Sequence, residues 1–153
     1  VIDALFGIGL KRPLEGMARE LVLAINARNL ACVAVDLPSG LDGDTGAVLG
    51  VAPRCELTVT FFRAKTGHLS LAGRACCGDI RVAEIGVPRG VVRQIGVRQW
   101  RNGPPLWRRA LRRPAIDDHK YRRGHVVVFG GDTMTGAARL AALAARRSGA
   151  GLV

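Results

Sequence analysis

The chain has 153 residues, 48% of them hydrophobic, enough to build an ordinary globular core and too many for an intrinsically disordered chain. Its 23 Lys and Arg against 12 Asp and Glu leave a formal net charge of +11, which favours anionic partners such as nucleotides, nucleic acid or a membrane surface without choosing among them. No apolar run approaches the roughly 18 residues needed to span a bilayer, and no secretory signal is visible.

The opening run VIDALFG is short and apolar and exits through the glycine-bearing GIGLKRP, as a buried parallel strand does. Pro13 suits a helix start, and Leu14, Met17, Leu21, Ala24 and Ile25 follow at spacings of three and four, which predicts one buried helical face. LACVAVDL reads as a second apolar strand, ending at Asp36 and Pro38. ELTVTFF and GDIRVAEIG supply two more, separated by a loop holding Lys65, Thr66, Gly67 and His68. Continuous apolar strands with few alternations predict an α/β fold with a mostly parallel sheet, whose ligands sit beyond the carboxyl ends of the strands. That rule places GIGLKRP and DLPSGLDGDTG on one rim.

Between Arg89 and Arg123 lies an Arg-rich stretch with Pro104, Pro105, Pro114, Trp100 and Trp107, which reads as a solvated connector. HVVVFGG then predicts a buried strand with a glycine exit. The Ala-rich run from about Gly136 to Arg147 predicts a helix with basic residues in its last turn, and GLV reads as the start of another strand. The chain opens directly on one strand and stops as another begins, so it reads as a piece of a longer protein. The four cysteines, Cys32, Cys55, Cys76 and Cys77, form no C-x-x-C pair and no zinc spacing with the three histidines, which predicts reduced thiols in a cytoplasmic protein.

GIGLKRP could cradle a phosphate on backbone amides beside Lys11 and Arg12, although Arg12 stands where a dinucleotide fingerprint needs its third glycine; the alternative is a tight strand-to-helix turn with two exposed bases. GGDTMTGAA lacks the Gly-Lys-Ser/Thr of a Walker loop; its glycines before a helix could still cradle an anion, but a turn that lets the helix pack close to the strand is the preferred reading. Asp36 could transfer a proton or bind a ribose or nicotinamide hydroxyl, and Asp3 could join Ser39 around a hard cation. Helix capping or turn support would explain both aspartates as well. Asp42 and Asp44 lie in turn chemistry and are expected to shape the turn. A loop histidine such as His68 is ordinarily exposed, and it is given no catalytic role.

Taken together, DALFGIGLKRPLEG, VAVDLPSGLDGDTG, LTVTFFRAKTGHL and GDIRVAEIGVP resemble, in order and spacing, the C-terminal half of NAD(P)H-hydrate epimerases. HKYRRGHVVVFGGDTMTGAARLAALAARRSGAGLV resembles the opening of the NAD(P)H-hydrate dehydratase domain, which has a ribokinase-like fold. The resemblance implies a partial three-layer Rossmann-like sheet over residues 1–90, an Arg/Pro-rich linker over 91–118, and the first strand and helix of a ribokinase-like α/β domain over 119–153. It implies an isomerase fused to a lyase: epimerisation of R- and S-NAD(P)HX, then ADP- or ATP-dependent dehydration of the S form, with NADHX or NADPHX as substrate.

By the same resemblance Asp3 and Ser39 would be potassium ligands, and Gly7, Ile8, Gly9, Leu10, Lys11, Arg12 and Pro13 would contact the substrate's phosphates. Asp36 would bind substrate near the reacting ring and carry the proton transfer, and Ala137 would touch substrate in the dehydratase. ADP or ATP with Mg2+ would serve the dehydratase. Neither a nucleic-acid nor a membrane partner is expected, and a homo-oligomer is possible. Ile8 replaces the family's usual Thr, and Tyr121 a common Gly. The epimerase's first half and the dehydratase's later nucleotide site are absent, so either activity belongs to a longer parent. The competing readings are a noncatalytic RNA-binding scaffold of the epimerase-like fold, suited to +11, and a ribokinase-like small-molecule kinase.

Overall fold

The computed structural model describes residues 1–111 and 113–153. The chain divides between Trp100 and Arg101 into two compact units, a break that falls inside the connector expected over 91–118. Residues up to Trp100 go with the first unit, where the Thr66 hydroxyl donates to Gln99 Oε1 at 2.6 Å.

The first unit is built on four parallel strands in the order β1 (Ile2–Asp3), β2 (Val33–Val35), β3 (Leu57–Phe61), β4 (Asp79–Ala83). Asp3 aligns with Ala34, Val35 with Val59, and Phe61 with Ala83, so the carboxyl ends of the strands gather on one rim as the apolar runs predict. Helix α1 (Gly16–Ala27) connects β1 to β2. After β3 come the short helices α2 (Thr66–Leu69) and α3 (Leu71–Cys76), where the sequence predicts a loop. Ser70 caps α3 by accepting the Gly73 N–H, and the helix α4 (Val91–Ile95) follows β4.

The buried face of α1 agrees with the expected one at Ile25 and departs from it in the first turns. Val22 and Ile25 are buried while Met17 and Leu21 are exposed. Leu14 is buried, but from the loop: Glu15 is extended and Gly16 turns through φ +54°, so the helical phase starts afresh after it. Leu10, Leu14 and Val22 form one apolar cluster with Leu49 and Val51 against it. Ile25, Cys32, Ala34 and Cys55 form a second, and Leu37, Leu41 and Cys77 a third with Ile80. All four cysteines are free thiols and buried; Cys32 and Cys55 Sγ lie 3.6 Å apart.

The second unit holds α5 (Pro104–Trp107), a 3-10 turn over Lys120–Arg123 and α6 (Gly136–Arg147), whose bounds and basic last turn match the sequence reading. HVVVFGG does not form the buried strand expected of it. Among the described residues it makes one parallel bridge, His125 to Leu152, and Val127 and Phe129 are exposed. The reason is that β propensity acts only through a partner: a strand needs a neighbouring ladder and a covered face, and here a single bridge supplies the ladder. Among the described residues no helix is long and apolar enough to cross a membrane.

Candidate functional site

At the end of β1 the Asp3 side chain turns inward and is buried. Its Oδ2 accepts the Ser39 N–H at 2.7 Å and its Oδ1 the Ser39 hydroxyl at 2.6 Å, while Ser39 Oγ accepts the Phe6 N–H at 3.0 Å. The structure thus joins the two residues that the sequence paired around a cation. The Phe6 carbonyl lies 3.3 Å from Ser39 Oγ, so carboxylate, hydroxyl and carbonyl oxygens converge. An all-oxygen set with one negative charge suits a hard cation.

One residue beyond β2, Asp36 turns into the left-handed region at φ +69°, which aspartate tolerates better than most side chains. Its Oδ1 accepts from the Lys65 ammonium at 2.5 Å and from the Thr60 hydroxyl at 2.8 Å. Burial alone would raise this carboxyl, but the Lys65 and Thr60 contacts outweigh it and hold Asp36 below its ordinary value. A carboxylate so held is ionised at neutral pH.

His68 fixes this pair from behind. The histidine expected to be exposed is fully buried: its Nδ1 accepts the Lys65 N–H at 2.9 Å, so its Nε2 carries the proton and donates it to the Asp36 carbonyl at 2.8 Å. Burial lowers its pKa, which keeps this neutral tautomer in place. Lys65, Thr60 and His68 are the residues that sequence reasoning missed. The one available signal was Thr58 and Thr60 at alternate positions of an apolar strand, a polar pair on a buried face.

The loop over residues 7–13 lies beside Asp36: a Cβ on Gly7 would stand 3.5 Å from Asp36 Oδ2. Leu10 is buried and its N–H reaches the Gly7 carbonyl at 3.2 Å, which leaves Gly9, Lys11 and Arg12 lining, with Phe6 and Leu10, an open depression of about 360 Å3. Pro13 is exposed, and Ile8 packs against Gly43 of the next turn. Lys11 is not simply an exposed base. Its ammonium bridges Asp42 at 3.2 Å and Asp44 at 2.9 Å, so part of its charge is already answered.

Asp42 shapes its turn as expected, accepting the Asp44 and Thr45 N–H groups and the Thr45 hydroxyl on one oxygen. The Thr45 N–H leads the contacts that hold its carboxyl well below the usual range. The sign follows: its contribution to folding is complete above the unfolded carboxyl value of about 4 and is lost as pH falls below it. In an acid titration followed by circular dichroism, Asp42→Asn should flatten the first decline below that pH relative to the unaltered chain; an unchanged acid limb would contradict this.

Ala137 sits in the first turn of α6 in the second unit and is exposed; its neighbour Ala138 packs at Gly130, where an added Cβ would stand 2.7 Å away.

Known proteins match stretches of the chain that include the rim just described and extend beyond it. Residues 1–67 match the family of the YjeF-related protein N-terminus. Through these residues the chain is similar to that family. The YjeF-related match takes in Asp3, the 7–13 loop, Asp36, Ser39 and Lys65, and stops one residue short of His68. Similarity extends further. The whole chain is 40% identical over 158 residues to the bifunctional NAD(P)H-hydrate repair enzyme Nnr of Coxiella burnetii, covering 32% of that protein. Against the enzyme of the same name from Thermofilum pendens, 86% of the chain is 44% identical, covering 24% of the relative. An NAD(P)H-hydrate epimerase of Limosilactobacillus fermentum is 49% identical over 84 residues, 55% of this chain and 40% of that one. The chain therefore spans about a quarter to a third of the bifunctional relatives it matches.

Proposed function

We propose that this chain is the part of a nicotinamide-cofactor repair protein that carries one wall of the NAD(P)H-hydrate epimerase site and opens an ADP- or ATP-dependent NAD(P)H-hydrate dehydratase. The observation that carries the reading is the ionised Asp36, held by Lys65 on the strand-end rim beside the glycine loop. In this reading the loop from Gly7 to Pro13 binds the phosphates of NADHX or NADPHX, with the ammonium of Lys11 and the guanidinium of Arg12 at its edge, and Asp36 meets the hydrated ring.

The charge state of Asp36 favours one chemical route. An acid-assisted loss of the ring hydroxyl needs a proton donor, and an ionised carboxylate has none to give. It can take the hydroxyl proton while the carbon to ring-nitrogen bond opens, the electron pair moving onto the nitrogen and into conjugation with the carboxamide and a carbonyl forming at that carbon; the nitrogen then re-adds to the carbonyl's other face as the proton returns to its oxygen. The fragment's Asp3 and Ser39, with the Phe6 carbonyl, would hold potassium, whose charge would steady the strand end next to the phosphates. Mg2+ with ADP or ATP belongs to the dehydratase, as does Ala137, and no step here passes through them.

The test is to give mixed R- and S-NADHX to the complete protein, with and without ADP or ATP, and to follow both epimers by chromatography. Interconversion without nucleotide and loss of the S form with it are expected; neither occurring would end the assignment. Asp36→Asn should slow interconversion by about a hundredfold or more, the scale of a lost proton-transfer group.

A further inference from the structure

We propose that Lys65 is a positioning residue of the rim site: it keeps Asp36 an oriented carboxylate, one oxygen anchored and the other turned to the glycine loop. The inference rests on the functional reading above for its consequence, but not for its test.

The geometry is specific. Asp36 Oδ1 is taken up by the Lys65 ammonium and the Thr60 hydroxyl, and the ammonium also reaches Thr60 Oγ1 at 2.7 Å and the Phe61 carbonyl at 3.3 Å. Oδ2 is the oxygen that lies toward Gly7. The Lys65 and Asp36 side chains are each only 18% exposed, so solvent screens the pair weakly, and the backbones of the two residues are tied together through the ring of His68.

Among the described residues Lys65 is the charged side chain that contacts the Asp36 carboxylate. β3 offers the neutral Thr60, α2 offers the neutral His68, the 7–13 loop offers backbone at Gly7, and the nearest loop ammonium, Lys11, is held by Asp42 and Asp44. Two opposed influences act on the carboxyl: burial pushes it up, and the lysine with Thr60 pulls it down. Removing the lysine leaves burial with far less opposition.

The experiment is a carboxyl-carbon NMR titration of Asp36 in the 153-residue chain, comparing the unaltered protein with Lys65→Met, Lys65→Gln and Lys65→Arg. The expected result is an Asp36 midpoint that climbs past the ordinary carboxyl value of about 3.9 in Lys65→Met and Lys65→Gln and returns below it in Lys65→Arg. If Lys65→Met does not fold, Lys65→Gln, which keeps a hydrogen-bond donor without the charge, decides the matter. A midpoint that stays put without the charge overturns the proposal. In the complete protein the acid limb of epimerisation should move to higher pH in Lys65→Gln, because Asp36 is then protonated sooner; a titration that moves while the limb does not would also overturn it. An unaltered protein with no epimerase turnover would count against the functional reading alone, since the NMR midpoints stand without it.

Discussion

Asp3→Ala should cost the first unit about 3 kcal/mol, read as a fall in the urea midpoint of the chain. The carboxylate is buried and accepts two short hydrogen bonds from Ser39, and bonds to a charged acceptor contribute roughly 1.5–3 kcal/mol. Its removal also leaves the buried Ser39 N–H without its acceptor, a further penalty of about 1–3 kcal/mol, partly offset by relaxation and water entry. Ser39→Ala should cost less, because Asp3 keeps the Ser39 N–H at 2.7 Å and the Leu5 N–H at 3.4 Å. An Asp3→Ala chain that unfolds at the unaltered urea concentration would show that the knot at the end of β1 contributes nothing to stability.

A still larger loss is expected for Gly40→Ala, about 4 kcal/mol or more, enough to abolish folding of a marginal chain. Gly40 sits at φ +94°, and a Cβ there would stand 1.9 Å from the Val51 carbonyl oxygen. That neighbour is backbone, not the far end of a flexible side chain, and the Gly40 carbonyl is itself tied to the Leu49 N–H at 2.7 Å. Gly9→Ala is the contrast: nothing lies within 4 Å of an added Cβ and the backbone is unstrained, so its cost should stay within about 0.5 kcal/mol. Thermal unfolding of the two variants side by side checks both statements, and similar midpoints would refute the packing argument.

The parallel sheet was legible because β1 and β2 lie in short, mostly apolar runs without polar alternation, and a parallel sheet puts both strand exits on one rim. Asp3, Asp36 and Ser39 could therefore be placed together before any coordinate was known. Lys65 and His68 could not, because nothing local distinguishes a lysine that reaches back under a strand from one that points to water. Leu14 and Ile25 are buried as the spacing predicts while Met17 and Leu21 are exposed, because Gly16 resets the backbone between Leu14 and the helix. HVVVFGG marks the opposite limit, a segment with every local attribute of a strand and, among the described residues, a single bridge to partner it.

The side-chain contacts that hold Asp36 and Ser39 join residues far apart in the chain, from 24 positions for Thr60 with Asp36 to 36 for Asp3 with Ser39. Each requires a long loop to be closed before it yields anything, so the site should mature late in folding, after α1 and the local turns have formed. An isolated peptide covering AVDLPSGLDGDTG should accordingly show none of the site's properties, since the side-chain partners that give Asp36 and Ser39 their chemistry, Asp3, Thr60 and Lys65, lie outside it.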